Sequence, residues 1–134
     1  MDVNERMEAF LEAGPYAVAG ASADRDKYGN KVLRVYLQNE RGPLYAVNPK
    51  GGEIEGVQAF PDLASLPEPP RSLSIITPPG VTERLIEEAA RAGVQHVWMQ
   101  PGAESARAIQ RAEELGLSVI AGGPCILVKL GYRE

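Results

Sequence analysis

Apolar residues follow one another along the chain in two rhythms, stripes at helical spacing and short unbroken runs, and the two alternate from one end to the other. Val3, Met7, Phe10 and Leu11 form a helical stripe, with Asn4 or Asp2 as its cap and Gly14-Pro15 as its stop. Tyr16 to Gly20 is a short apolar run closed by glycine and predicts the first strand. After a polar loop from Gly20 to Tyr28, Val32, Leu33, Tyr36 and Leu37 mark a second helix, ended by Arg41-Gly42-Pro43. Leu44 to Val47 predicts the second strand, and Asn48-Pro49 closes it.

A long connection then runs to Arg71, with Gly51-Gly52, a small strand around Ile54 to Val57, and a stretch carrying Pro61, Pro67, Pro69 and Pro70. Its Ile54, Val57, Phe60, Leu63 and Leu66 can pack against the body, which keeps the connection inside the domain. Ser72 to Ile76 predicts the third strand. A helix with Val81, Leu85, Ile86, Ala89 and Ala90 on one face follows and stops at Gly93. His96 to Met99 is the fourth strand, Glu104 to Glu114 a helix with Glu104 favoured by the dipole in its first turn, and Ser118 to Ala121 the fifth strand. A last apolar segment covers Cys125 to Leu130.

Strands alternating with helices mean βαβ units, whose right-handed crossovers give a parallel sheet covered on both faces. The expected fold is therefore α/β, a Rossmann-like, doubly wound, five-stranded parallel sheet in the order 3-2-1-4-5, forming one domain over residues 1–134. Ligands of such sheets bind where the order reverses, beyond the carboxyl ends of strands one and four. The loops to inspect are then 20–30 and 100–104.

Composition narrows the chemistry. The chain has 134 residues, 14 basic against 18 acidic and a net charge of −4, which argues against a nucleic-acid binder or a polybasic membrane tether. Cys125 is the only cysteine and His96 the only histidine, so no internal disulfide or cysteine cage forms and any triad would rest on one imidazole. The first residues are charged and lack the apolar run of a signal peptide. The stretch Leu115 to Val128 is too short for a bilayer and is broken by Gly122, Gly123 and Pro124, so the expectation is a cytoplasmic protein with no membrane partner.

The first loop holds the best candidate chemistry. Gly20 lets backbone approach a phosphate, Ser22 offers a hydroxyl, the amides opening the next helix attract anions, and Arg25, Lys27 and Lys31 supply positive charge. A solvated turn with ordinary surface charges is the bland alternative; the position at the switch point favours phosphate. A dinucleotide fingerprint requires a second glycine, where Ser22 stands, and an acid at the end of strand two, where Asn48 stands. The Walker pattern is absent as well.

The ordered set Gly20-Ala21-Ser22, Lys27-Tyr28-Gly29-Asn30, Val47-Asn48-Pro49, Thr77-Pro78-Pro79, Trp98 through Glu104, and Cys125 resembles the small bacterial and archaeal CoA-binding proteins. These look like a free-standing CoA-binding domain of the succinyl-CoA synthetase α subunit, and the resemblance covers roughly Gly14 to Val128. It implies that coenzyme A or acyl-CoA is the ligand. The turn Gly20, Ala21 and Ser22 would hold its phosphate oxygens, with Arg25, Lys27 or Lys31 at the pyrophosphate or 3′-phosphate and Tyr28, Gly29 and Asn30 completing the loop. Asn48, Pro49 and Lys50 would border the adenosine, Thr77, Pro78 and Pro79 would lie along the nucleotide or pantetheine, and Gln100, Gly102 and Ala103 would face the ligand from the other side. Gly123-Pro124 precedes Cys125 where the family often carries arginine.

No paired carboxylates converge on this site, so no acid/base constellation is expected. The synthetase's phosphorylated histidine belongs to a second domain, and His96 is placed at the wrong end of the sheet to replace it. Trp98 is read as core and Glu104 as a helix-terminal charge. Cys125 is either a small buried hydrophobe or a thiol near the pantetheine end, able to form a mixed disulfide with CoA. The leading function is non-catalytic CoA binding as carrier, sensor or accessory protein. The alternatives are an NAD(P)-linked reductase with an atypical loop and an interaction subunit with a vestigial pocket. Exposed sheet edges leave a homodimer or a partner enzyme open.

Overall fold

The computed structural model describes residues 1–134. Helix α1 (Val3–Leu11) begins at Asp2, whose carboxylate accepts the Glu5 N–H while the Glu5 side chain reaches back to the Asp2 N–H. Strand β1 (Tyr16–Ala19), helix α2 (Tyr28–Gln38) and strand β2 (Leu44–Val47) follow as the apolar pattern requires. The connection after β2 folds into a hairpin, β3 (Gly52–Ile54) and β4 (Val57–Phe60). Its turn is Glu55-Gly56, both at positive φ, the geometry that matches the twist of paired strands. Then come a short 3-10 turn at Leu63–Ser65, β5 (Ser72–Ile75), α3 (Pro79–Ala92), β6 (His96–Met99), α4 (Ala106–Glu114), β7 (Ser118–Ile120) and α5 (Ile126–Lys129).

The seven strands form one sheet in the order β3-β4-β2-β1-β5-β6-β7, parallel except for edge strand β3. The α/β, Rossmann-like architecture is as expected, but the five-strand count and the order 3-2-1-4-5 are corrected. The strand at Ser72 pairs directly with β1, Tyr16 opposite Ser72 and Ala19 opposite Ile75. The place beside β2 belongs to β4, with Ala46 opposite Ala59. The small strand expected around Ile54 to Val57 is instead the hairpin turn. Its two arms are too short, and too close to prolines, to stand out as a strand in the pattern. Counting parallel strands alone, the order is the doubly wound 3-2-1-4-5-6, so the reversal lies between β1 and β5. The loops that face each other there are 20–28 and 76–79, not 20–30 and 100–104.

Alternate residues of β1 face opposite layers. Tyr16 and Val18 join Phe10, Leu33, Tyr36, Trp98 and Ile126 under α1, α2 and α5. Ala17 and Ala19 join Leu73, Ile75, Ile86, Val97 and Ala108 under α3 and α4. The polar residues of β5 are satisfied inside: Ser74 Oγ is 2.8 Å from Tyr36 Oη, and Ser72 Oγ donates to the carbonyls of Phe10 and Ala13. Helix α4 starts at Ser105, whose hydroxyl oxygen accepts the Ala108 N–H, so Glu104 lies before the helix rather than in its first turn. No helix is long and apolar enough to cross a membrane.

Candidate functional site

Two glycines let three backbone segments converge at the carboxyl edge. Gly20 leaves β1 at φ +93, and a Cβ there would sit 2.9 Å from the carbonyl of Ile76, just past β5. A Cβ on Gly29 would sit 1.9 Å from the Gly20 carbonyl oxygen, so the first turn of α2 packs directly on the end of β1. The residues between are pinned through their carbonyls. Asn48 Nδ2 donates to Ala21 O at 2.9 Å, Asn30 Nδ2 to Ser22 O at 2.9 Å, and an Arg34 guanidinium nitrogen to Arg25 O at 2.7 Å. The Asp24 N–H donates to Ser22 Oγ, which leaves the Ser22 hydroxyl proton free to point outward.

Asn30 is fully buried and takes a bond from Arg34 Nε at 2.7 Å, so one asparagine organises both the loop and the helix behind it. Glu55, from the β3–β4 turn, closes this network against Asn30 Nδ2 at 3.2 Å and Arg25 at 2.5 Å. The Asn30 amide, and after it the Arg25 guanidinium, hold the Glu55 carboxyl below its ordinary range. Glu55 did not figure in the sequence reading. The signal that marks it is the Glu55-Gly56 pair between short apolar arms.

Lys27 stands at the cap position of α2, and no side chain caps that helix. The Asn30 and Lys31 N–H donate to the Lys27 carbonyl, and the Tyr28 and Gly29 N–H at the head of the helix have no side-chain cap. Lys27 and Lys50 are exposed and form no ion pair, whereas Lys31 Nζ lies 3.9 Å from Glu134. Asn48 is engaged at both ends, its Oδ1 accepting the Lys50 N–H at 2.8 Å, so it ties two loops together. Across the reversal point, Thr77 Oγ1 is 2.7 Å from Thr82 Oγ1, and Pro78 and Pro79 are exposed where α3 opens.

The loop after β6 is built differently. Gln100 is fully buried, and its Oε1 accepts the Ile126 N–H at 2.9 Å and the Tyr28 hydroxyl at 3.3 Å. Its Nε2 has no partner. Ala103 is buried, while Gly102 is exposed at φ +96 with its N–H on Glu104. With β5 between β1 and β6, the expected placement of Gln100 and Ala103 facing a ligand across the reversal point gives way to buried positions one strand further out. Tyr28 also meets Cys125, Oη to Sγ 2.5 Å, and burial first, then Cys125, pushes its phenol well above the usual range. Trp98 is fully buried, and its indole N–H donates to Pro124 O, which fixes the turn before Cys125. His96 is half-buried at the amino end of β6, held below its ordinary pKa by burial, with Phe10 edge-on at 6.4 Å.

Two surface hollows lie elsewhere. One of about 500 Å³ runs between Leu63–Pro69 and the end of α3, and one of about 640 Å³ lies between α3 and α4 among Glu83, Arg84, Arg107 and Arg111.

A family model described as a CoA binding domain matches residues 15–131. The ADP-forming acetate–CoA ligase I of Archaeoglobus fulgidus is 30% identical over 130 residues, 90% of this chain but 19% of the ligase. A conserved hypothetical protein from Pyrococcus furiosus superposes with TM-score 0.79 at 34% identity, covering 85% of this chain and 97% of its own. A hypothetical protein from Pyrococcus horikoshii gives TM-score 0.86 at 26% identity over 96% of this chain and 89% of its own. The chain thus spans about a fifth or less of the length of the curated acetate–CoA ligases it matches and nearly the whole of these small solved proteins.

Proposed function

The chain belongs to the CoA-binding domain family, and from that premise we propose that its 134 residues act as one domain that binds coenzyme A or an acyl-CoA along the carboxyl edge of the sheet. The role is non-catalytic and cytoplasmic: carrier, sensor or accessory to a larger enzyme. The observation that carries this reading is the loop from Gly20 to Lys31, whose carbonyls are held by Asn30, Arg34 and Asn48 while the start of α2 has no side-chain cap and Lys27 is exposed. Asp24 and Asp26 stand in the same loop, Asp24 accepting the Asp26 N–H, and Arg25, Lys27 and Lys31 outnumber them as charges for an anion.

The phosphates lie against Gly20, Ala21, Ser22 and the start of α2, with Lys27 and Lys31 as counter-charges. Arg25 joins them on release from Glu55. Pro49 and Lys50 border the adenosine, and Thr77, Pro78 and Pro79 line the path of the arm. A dinucleotide reading has less support, because the end of β2 offers Asn48, with both amide ends engaged, instead of an acid for ribose. The acetate–CoA ligase relatives support a synthetase-type enzyme as the partner served.

Thermal unfolding tests the reading. A ligand at about 100 times its dissociation constant stabilises the folded state by about 2.7 kcal/mol, so CoA should raise the midpoint by several degrees. No shift with millimolar CoA would remove the proposal, and a shift with NADPH alone would replace it with the dinucleotide reading.

A further inference from the structure

Arg25 in the first loop and Glu55 in the β3–β4 turn stand against each other, Nη1 2.5 Å from Oε1, yet the two partners are held very differently. Ile54 and Val57, on either side of the turn, are buried in the core, and the second carboxylate oxygen of Glu55 accepts from the buried Asn30 Nδ2 at 3.2 Å. The Glu55 side chain is 19% exposed and is anchored with or without Arg25. The Arg25 backbone is pinned as well, because Arg34 donates to its carbonyl at 2.7 Å, but the Arg25 side chain is 61% exposed and Glu55 is its one ion pair. Swinging that side chain away moves no backbone, and it leaves Glu55 with Asn30 and with the positive charge of Arg34 nearby.

Topology says which part of a ligand Arg25 can reach. The hairpin lies on the outer side of β2, since β4 pairs with β2, and Asn48 at the end of β2 donates its N–H to Phe60 O. The Arg25–Glu55 pair therefore stands on the side of the loop toward Asn48 to Lys50, the side that the CoA-binding reading gives to the adenosine. A phosphate monoester on the ribose there brings about two negative charges and three acceptor oxygens against the single charge of a carboxylate, and it draws the guanidinium from Glu55. We propose that Glu55 sets the preference of this site between ligands that carry a ribose phosphate and ligands that lack it, by standing in for that phosphate on Arg25 until the ligand replaces it. This rests on the CoA-binding reading and assigns a specificity-determining residue within it. A ligand with the phosphate must break the pair to gain Arg25, so Glu55 lowers its affinity. A ligand without the phosphate leaves the pair intact and is indifferent to Glu55.

The test is titration of the full chain with CoA and with dephospho-CoA, in wild type and in Glu55→Gln. The glutamine keeps an oxygen for Asn30 and removes the charge that holds Arg25. Glu55→Gln should bind CoA roughly threefold more tightly, the reach of an exposed ion pair, and dephospho-CoA as wild type does, a change of ratio that a purely structural role would not produce. In an Arg25→Gln background the same substitution should have no effect. Glu53→Gln removes an equal charge from an exposed position on β3 that forms no ion pair, and it should change the affinity for neither ligand. Unchanged or weakened CoA binding in Glu55→Gln, equal tightening of both ligands, a gain that survives in Arg25→Gln, or a matching gain in Glu53→Gln each overturns the assignment and leaves the binding reading standing. If wild type binds neither ligand, the binding reading falls and the assignment with it.

Discussion

The loops leaving β1 and β6 both start at a strand's carboxyl end and both carry a glycine at positive φ, yet they are built on opposite plans. After β1 the side chains of Asn30, Arg34 and Asn48 hold the backbone carbonyls, and the cations stay outside. After β6 the polar residue itself, Gln100, is swallowed and serves to seat α5 and Tyr28. Proximity to the reversal of strand order separates them. The first loop borders it, while the second lies beyond β5, where Gln100 accepts the first N–H of α5. In a doubly wound sheet, the strand neighbours decide which loop is free to meet a ligand, more than the residues of the loop do.

That contrast can be broken first at the glycines. Gly29→Ala drives a methyl into the Gly20 carbonyl and should cost about 3 kcal/mol by urea unfolding, the upper range for overpacking against backbone. Gly102→Ala, with nothing within 4 Å of its Cβ, should cost about 1 kcal/mol, from its positive φ alone. Equal costs would mean that the two loops are packed alike.

Next in size is Asn30→Ala, which strands Arg34 Nε and frees the Ser22 carbonyl. It should lose about 2 kcal/mol of stability and weaken CoA binding as well. Lys27→Glu should leave stability unchanged and lower CoA affinity about fivefold at low salt, near 1 kcal/mol, with the loss shrinking as salt is raised. A stability loss without an affinity change would move the phosphate site away from this loop.

The smallest effect is a pH limb. The Glu55 carboxyl sits below its ordinary range in the fold, so its contribution is present above the carboxylate range of the unfolded chain and is lost as pH falls through the lowered folded value. Glu55→Gln should flatten that acid limb in unfolding measured against pH. An unchanged limb would assign the acid sensitivity to other groups.

Much of the molecule was legible in the sequence. The helical stripes and apolar runs located α1 to α4 and five of the strands, and Gly20, Lys27 and Asn48 pointed to the carboxyl edge. The β3–β4 hairpin was not legible, because Val57 and Ala59 alternate over too few residues to outweigh the prolines nearby. Missing it displaced β5 by two places and put residues 100–104, instead of 76–79, across the reversal of strand order. The meeting of Tyr28, Gln100 and Cys125 was invisible for another reason. It joins residues 72 and 97 positions apart, and only the placement of β6 and α5 brings them together.

The central claim is tested most directly by isothermal titration of the ligand-free chain with CoA, with dephospho-CoA and NADPH as comparison ligands. The account predicts saturable one-to-one binding of CoA, weakened when the 3′-phosphate is missing. Silence with CoA, or a response to NADPH with which CoA does not compete, would contradict it.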